Sequence, residues 1–183
     1  MKRIISQFFE LVANQKIEIY NEFSLQHELG IFLRGQFPDR KIQFERNVSY
    51  FGFDKPKYEK KEIDLAMYTG KSELNCVMEL KYPRNGQVPE SMFSFCKDIA
   101  FLEQLSKSGF KSAYFIAVAD DSLFYSGGAD GIYGLFRGEQ SITGTILKPT
   151  GKKDKAVNII GSYKARWKKV IGKTKYCLIE VSS

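Results

Sequence analysis

The stretch that decides the fold prediction is Glu62 to Tyr82, which reads EIDLAMYTGKSELNCVMELKY. Apolar residues alternate with other residues on both sides of the segment Thr69 to Ser72, and this alternation is typical of two strands joined by a turn. Alternate side chains of a strand share a face of the sheet, as do side chains directly opposite each other. The pattern therefore places Asp64, Glu79 and Lys81 on one face of a hairpin.

The register of this hairpin sets the distance between its two carboxylates. We place the centre of the turn at Gly70 and Lys71. Asp64 then pairs with Val77, and Glu79 becomes its diagonal neighbour at roughly 7 to 8 Å between backbones. Two carboxylates at that separation can reach one metal ion. An oxygen-only site without histidine suits Mg²⁺ or Mn²⁺, which keep part of their water shell for a phosphate.

The order acid, spacer, acid-x-lysine resembles the PD-(D/E)XK nuclease superfamily, which has the restriction-endonuclease-like fold. Ile63-Asp64 and Glu79-Leu80-Lys81 carry the resemblance, with Ile63 where the family usually has proline. The resemblance implies that Asp64 and Glu79 hold a divalent ion and that the carbonyl of Leu80 adds a ligand. It also implies that Lys81 positions or deprotonates the attacking water.

The ionisation state of Lys81 stays open at the level of sequence. A neighbouring cation lowers the pKa of an ammonium group, whereas neighbouring carboxylates raise it. A different interpretation of all three charges is a solvated strand face. However, the apolar residues on both sides of the two strands favour covered faces, on which charges need partners or a metal.

A helix upstream of the hairpin supplies a further candidate ligand. The helix is predicted to begin at Ser24 as N-cap and to carry an apolar stripe of Leu25, Leu29, Phe32 and Leu33. Glu28 lies about 85° from the centre of that stripe, so it can reach the sheet. The superfamily commonly adds a helix glutamate to the metal site, and the resemblance implies that role for Glu28. An ordinary flank charge on an amphipathic helix is the alternative.

The rest of the pattern predicts an α/β core. We expect a helix in residues 1–15, a strand in 42–50, a helix in 89–107 and a buried strand in 112–119. A helical crossover before the last strand predicts that it runs parallel to its predecessor. On the crossover helix, Glu103, Gln104 and Lys107 are expected to form a solvated face. The resemblance to the family core covers about residues 20 to 120.

Length and composition predict one domain over residues 1–183, with roughly 70% of the unfolded surface buried. Because no long apolar run and no secretory leader are apparent, we expect a cytoplasmic protein without a membrane partner. The three cysteines lie among apolar residues and are expected to be buried free thiols. The only histidine, His27, is expected to point away from the apolar stripe of its helix, which leaves no histidine for a Ser-His or Cys-His nucleophile pair.

Positive charge is concentrated near the end of the chain. Residues 141–183 carry 10 Lys and Arg against 2 acids, a net charge of +8, whereas residues 1–140 have a net charge of −1. Alternation predicts a strand face with the basic residues Lys164, Arg166 and Lys168, backed by aromatic residues on the other face, and the adjacent Lys169 is a further candidate for nucleic-acid binding. Such a face suits the phosphate backbone of DNA. A solubilising surface on an ordinary β-meander is the alternative.

Together these features predict a Mg²⁺- or Mn²⁺-dependent endonuclease that acts on DNA, most simply of restriction type. Its fold is predicted to be α/β, with a restriction-endonuclease-like core of a central mixed sheet flanked by helices, and a basic β-rich extension at about residues 141–183. Two alternatives stay open: a structure-selective resolvase or repair nuclease, and an inactive nuclease fold that only binds nucleic acid. We also expect that the protein can form a homodimer, with one site for each DNA strand.

Overall fold

The computed structural model describes residues 1–54, 57–70, 73–84, 86–138, 140–151 and 155–182. Within these residues the α-helices are α1 (Lys2–Ala13), α2 (Glu22–Gln36), α3 (Val88–Lys107) and α4 (Ile132–Phe136). The first four strands are β1 (Lys41–Asn47), β2 (Glu62–Thr69), β3 (Glu73–Lys81) and β4 (Ala113–Ala119). The last four are β5 (Ile142–Leu147), β6 (Ala156–Tyr163), β7 (Trp167–Ile171) and β8 (Thr174–Val181). Short 3₁₀ turns lie at Val48–Phe51 and Ser122–Phe124.

Six of these strands form one mixed sheet, in the order β1-β2-β3-β4-β8-β7. β3 and β4 run parallel, with α3 between them in the chain, which confirms the predicted parallel pair. The remaining neighbours in the sheet are antiparallel. The chain is therefore α/β with helices around a mixed sheet, as predicted.

Both faces of the sheet are covered. On one face, Val77 and Phe115 belong to the same apolar core as Phe95 of α3. On the other face, Met78 packs in a second core with Leu29 of α2, and α1 also contributes to that core. The alternation along β2 and β3 therefore separates two buried faces, as the apolar composition of the strands predicted.

The β-rich end of the chain is divided between two sheets. β8 pairs with β4, and β7 pairs with β8, so these two strands complete the central sheet. β5 and β6 form a separate two-stranded sheet whose β6 contacts α3. The predicted strands are present, but half of the expected extension is part of the core sheet.

Glu103 of α3 binds this second sheet and is buried, with 5% of its surface exposed. Its carboxylate accepts hydrogen bonds from the N–H groups of Ile160 (3.0 Å) and Gly161 (2.7 Å) and from the Tyr163 hydroxyl (2.9 Å). The prediction of a solvated Glu103 is wrong, because the β5–β6 hairpin covers that side of α3. Lys107, at the end of the helix, is exposed as predicted.

The N-terminus of α2 differs from the predicted one by three residues. Asn21 is the N-cap, and its side chain accepts the N–H of Ser24 (2.8 Å) while Ser24 Oγ accepts the N–H of Asn21 (3.0 Å). This reciprocal pair is a capping box, in which Ser24 has the third helical position. The prediction that Ser24 caps the helix is therefore wrong. The earlier start places Glu22 in the first turn of α2.

The cysteine prediction is confirmed. Cys76, Cys96 and Cys177 are free and buried, and burial raises the pKa of each thiol to about 12. Over the described part of the chain, no helix has both the length and the apolar character needed to span a bilayer.

Candidate active site

Asp64 and Glu79 stand opposite each other at one end of the β2–β3 pair. The strands pair Leu65 with Met78, so the next step outward brings Asp64 opposite Glu79. The predicted pairing of Asp64 with Val77 is wrong by two residues. The two carboxylates are therefore direct cross-strand neighbours, which lie closer together than the predicted diagonal pair.

Two separate differences between the predicted and the observed hairpin cause this register error, and each shifts the pairing by one residue. The pairing ends at Thr69 and Glu73, which leaves three residues in the connection where the prediction had two. Lys71 and Ser72 of the predicted turn lie outside the described residues. A shift of register next to Tyr68 adds the second residue. Because a shift of two residues preserves the face of every side chain, the predicted shared face is retained.

The backbones of β2 and β3 hold both carboxylates in place. Leu80 N–H donates to Asp64 Oδ2 (2.8 Å), and Asp64 N–H donates to Glu79 Oε1 (3.2 Å). The carbonyl of Asp64 accepts from Gln26 Nε2 (2.8 Å), while the carbonyl of Leu80 accepts from Lys81 Nζ (3.0 Å). Asp64 is 8% exposed and Glu79 is fully buried. One oxygen of each carboxylate thus accepts a backbone hydrogen bond. The backbone leaves the other oxygen to a side chain or an ion.

Two lysines form ion pairs with these carboxylates. The same two lysines also pair with a third carboxylate, which α3 contributes. Lys60 Nζ contacts Glu79 Oε2, lies 3.0 Å from Asp98 Oδ1 and lies 3.4 Å from Asp64 Oδ1. Lys81 Nζ lies 3.6 Å from Asp98 Oδ2 and 3.9 Å from Asp64 Oδ2. We refer to Asp64, Glu79, Asp98, Lys60 and Lys81 as the charged cluster.

Asp98 and Lys60 were not among the predicted site residues. Asp98 is 2% exposed and lies between the buried Phe95 and Leu102 on α3. An acid within the apolar stripe of a helix that covers the sheet is a signal that could have identified it, because a buried carboxylate needs a partner. Lys60 lies four residues before Asp64, outside any strand, and no periodic pattern marks it.

Burial and charge shift the pKa values of the cluster. Burial and the negative charge of Asp64 raise the pKa of both Glu79 and Asp98. Lys60 partly opposes this effect at Glu79, and Lys81 and Lys60 partly oppose it at Asp98. Burial by itself lowers the pKa of Lys60 and Lys81, but the facing carboxylates outweigh burial and hold both pKa values above the usual value. Both lysines are therefore charged at neutral pH.

Glu22, rather than Glu28, is the glutamate that α2 contributes. Glu22 Oε1 accepts from Lys81 Nζ (3.2 Å), and its Oε2 accepts the N–H of Tyr82 (3.2 Å). The structure does not bring Glu28 into this group, since its carboxylate lies 3.5 Å from His27 Nδ1. Glu28 is about 120° around the helix from Glu22, and α2 packs on the sheet face opposite to α3. Glu22 and Gln26, in the first turns of α2, are the residues of this helix that contact Lys81 and Asp64. We therefore withdraw Glu28 from the candidate site.

An open cleft of about 560 Å³ gives access to the charged cluster. Its lining includes Glu22, Phe23, Lys81, Arg84 and Ser94. Lys81 joins the cleft to the buried acids, since it lines the cleft and its ammonium also reaches two carboxylates. Phe23 is 77% exposed at this cleft. Among the residues of the charged cluster, Lys81 is the one that a charged ligand in the cleft would contact first.

The donor atoms of the cluster are of the kind that Mg²⁺ and Mn²⁺ prefer. One oxygen from each of Asp64, Glu79 and Asp98 faces a common position, and carboxylate oxygens suit hard cations. The ammonium of Lys60 lies at that position. Within the described residues, no group of three or more His, Cys, Asp or Glu side chains is arranged to hold a metal ion. The donors therefore fit a divalent ion in chemistry, on condition that Lys60 moves away.

The predicted basic face lies three strands from this site. Lys164, Arg166, Lys168 and Lys169 are exposed, as the alternation predicted, although residues 164–166 connect β6 to β7 and are not part of a strand. Trp167 is level with Lys81, because Trp167 pairs with Cys177, Cys177 with Ala117, and Ala117 with Lys81. Three strand spacings separate them, roughly 14 Å. Lys168 lies 6.0 Å from the centroid of the Tyr176 ring, on the face covered by α1.

Comparisons with protein-family models, with curated proteins and with solved structures found no match to this chain. The resemblance to the nuclease superfamily therefore rests on Ile63-Asp64 and Glu79-Leu80-Lys81 alone.

Proposed function

We propose that the protein is a metal-dependent endonuclease with a restriction-endonuclease-like core that hydrolyses phosphodiester bonds of DNA. The observation that carries this proposal is the meeting of Asp64, Glu79 and Lys81 at the end of two paired strands, beside an open cleft. Asp98 adds a third carboxylate from the helix that covers these strands. Carboxylates directed to one point beside a cationic side chain are suited to phosphate chemistry.

In this proposal each residue of the site has a separate task. Asp64, Glu79 and Asp98 supply carboxylate oxygens for Mg²⁺ or Mn²⁺, and the carbonyl of Leu80 lies beside them. The ion, when bound, supplies a Lewis acid and a water of lowered pKa. The surrounding carboxylates outweigh burial and raise the pKa of Lys81. We assign its ammonium the task of stabilising negative charge on a phosphate.

DNA as the substrate is supported by the charge of the chain. The net charge is +7, and the excess lies in residues 141–183. Arg84 and Lys81 line the cleft itself, and the exposed ring of Phe23 stands beside them. The lining also includes Glu22 and Glu45, so the cleft offers two individual cationic side chains and one exposed ring, rather than a cationic surface, for contacts to the phosphates and bases of a nucleic acid.

The test is cleavage of plasmid and linear duplex DNA in Mg²⁺ or Mn²⁺, compared with excess chelator. Asp64→Asn and Glu79→Gln should abolish cleavage. Lys81→Met should slow it by about 10² or more, the scale for losing one group that stabilises transition-state charge. Glu28→Gln is the matched control and should cleave like the wild type. Cleavage that persists in chelator, or in Asp64→Asn, would remove the proposal.

The position of Lys60 favours a second candidate, which is a nuclease fold that binds nucleic acid without cutting it. An ammonium that permanently fills the position between the three carboxylates would leave no room for a metal ion. This candidate predicts DNA binding that is insensitive to Mg²⁺, with no cleavage under any metal condition. It also predicts that Lys81→Met binds and behaves like the wild type.

A further inference from the structure

Lys60 occupies the position at which the three acids of the charged cluster converge. Its ammonium contacts one oxygen of each acid, and the acids come from β2, β3 and α3. Lys60 itself precedes β2 and belongs to neither strand nor helix. A cation is therefore held between three separate elements by a side chain from a fourth segment.

The oxygens that face Lys60 are those that the backbone leaves unused. Asp64 Oδ2 accepts the N–H of Leu80, and Glu79 Oε1 accepts the N–H of Asp64. The opposite oxygens, Asp64 Oδ1 and Glu79 Oε2, face the ammonium. The strands thus fix the carboxylates with one free oxygen each directed to the same point.

The lysines do not saturate all the carboxylate oxygens of the cluster, because only one oxygen of Asp98 faces Lys60 and the other faces Lys81. Asp98 Oδ2 is buried, and no hydrogen-bond donor among the described residues reaches it. Its nearest cation is Lys81 Nζ, at 3.6 Å. A buried carboxylate oxygen without a hydrogen bond is costly, which makes the site receptive to a stronger cation.

The charges and the position of Lys60 also permit its exchange. The three carboxylates of the cluster face two ammonium groups, and Glu22 also faces Lys81, so carboxylates outnumber ammonium groups here. Replacing the Lys60 ammonium by a divalent ion adds one positive charge among them. A quarter of the Lys60 side chain is exposed (25%), so its long aliphatic stem needs only to rotate to place the ammonium in water.

We propose that Lys60 is the resident cation of this site and is exchanged for the divalent ion, so that Lys60 sets the metal concentration that the protein needs. The proposal rests on the proposed function for the location of the metal site. Lys60 acts as an internal competitor: the metal binds only the fraction of molecules in which the ammonium has left. An apparent affinity is lowered in proportion to that fraction.

The test is titration of the full chain with Mn²⁺ by calorimetry, in the absence of DNA. Wild type is compared with Lys60→Met, which keeps an unbranched side chain one atom shorter and removes the charge. Lys61→Met is the matched control, because the neighbouring Lys61 is exposed. Lys60→Met should bind Mn²⁺ roughly tenfold or more tightly than wild type if the ammonium fills the site in nine molecules of ten or more. Lys61→Met should match the wild type.

Thermal unfolding gives a second measurement in case Lys60→Met folds poorly without metal. Three carboxylates without their central cation should lower the melting temperature of Lys60→Met, and Mn²⁺ should raise it by more than it raises that of the wild type. Lys60→Gln, which keeps a hydrogen-bond donor, provides a milder variant for the same comparison. For both Lys60→Met and Lys60→Gln, Mn²⁺ should raise the melting temperature by more than it raises that of Lys61→Met.

Equal or weaker Mn²⁺ binding by Lys60→Met would overturn the exchange, and so would the absence of Mn²⁺ binding in both proteins. The proposed function can fail separately. If Lys60→Met binds Mn²⁺ more tightly but the wild type cleaves no DNA, the exchange stays in place and the proposed nuclease activity is removed. Mg²⁺-dependent cleavage with unchanged metal affinity in Lys60→Met leaves the nuclease and removes the exchange.

Discussion

Glu79 accepts the backbone N–H of Asp64, and the carboxylate of Asp64 in turn accepts the N–H of Leu80, the residue after Glu79. Each acid thus binds the strand that carries the other. The two hydrogen bonds join β2 and β3 at the end where the charges meet. The contacts that hold the two strands together therefore also fix the positions of the two carboxylates. A change in either acid is therefore expected to affect stability as well as chemistry.

Glu79→Ala should destabilise the protein strongly. The substitution leaves Asp64 N–H without an acceptor and removes a partner of Lys60 in a fully buried position. Breaking a buried ion pair by removal of one partner costs roughly 3 to 5 kcal/mol. Glu79→Gln should cost less, because its amide oxygen still accepts the backbone N–H. Urea unfolding followed by circular dichroism measures both, and equal stability of Glu79→Ala and wild type would contradict the assigned contacts.

The shared face of Asp64, Glu79 and Lys81 could be predicted from sequence because side-chain direction in a strand depends only on parity. The exact partner could not, since it depends on the length of the connection and on the irregularity beside Tyr68. The helix glutamate was assigned to Glu28 from its angle to an apolar stripe. That angle does not reveal which sheet face the helix covers, and α2 covers the face opposite to α3.

The two missed cluster residues differ in how far sequence could have identified them. Asp98 interrupts an apolar helical stripe, which is a detectable anomaly. Lys60 lies in a polar segment before β2, where a lysine is ordinarily solvated, and only the three-dimensional contacts distinguish it from its exposed neighbour Lys61. Sequence misplaces Glu103 for a related reason, because the β6 residues that bind it come more than 50 positions later in the chain.

Asp98→Asn should slow DNA cleavage by roughly 10- to 100-fold, the usual effect of losing a partner that orients residues of a metal site. Asp98 contacts both lysines of the cluster, so its neutralisation disturbs Lys60 and Lys81 together. Asp39→Asn makes the same chemical change at an exposed position before β1 and should have no effect. Single-turnover rates under saturating enzyme measure the difference. Equal rates for Asp98→Asn and wild type would exclude Asp98 from the site.

Tyr163→Phe should weaken the pH dependence of stability above pH 10. Burial and the hydrogen bond to Glu103 raise the pKa of Tyr163 in the folded protein. As the pH rises past the unfolded pKa of about 10, the unfolded chain loses a proton that the folded chain retains, so the free energy of unfolding falls by at most about 1.4 kcal/mol per pH unit. This loss continues until the folded pKa is reached. The variant lacks the group and should show a shallower decline.

The measurement for Tyr163 is urea unfolding at several pH values from 9 to 12. At neutral pH the variant should be less stable by about 1 kcal/mol for the lost hydrogen bond, and the difference should narrow as the pH rises. Tyr20→Phe, at a 63% exposed position, is the control and should follow the wild-type slope. Parallel curves for Tyr163→Phe and wild type would show that the hydroxyl does not couple folding to pH.

The basic face should contribute to DNA binding through charge alone. Replacing Lys164, Arg166 and Lys168 by Ala should reduce the slope of log affinity against log salt by about 2.7 for duplex DNA, if each residue neutralises one phosphate. Affinity should fall equally for all sequences, because phosphate contacts carry no base information. The products of cleavage at saturating DNA should be unchanged, since the face lies roughly 14 Å from β3.

The matched control for this face removes the same charge at the opposite end of the sheet. Lys41, Lys107 and Lys111 are exposed there, beside the ends of β2 and β3 that are farthest from the charged cluster. Their triple Ala variant should keep the wild-type salt slope. If instead both triple variants lower the slope equally, binding follows net charge and no surface is specific. If the first variant leaves the slope unchanged, the phosphate contacts lie at the cleft, and Arg84→Ala is then the variant whose slope should fall.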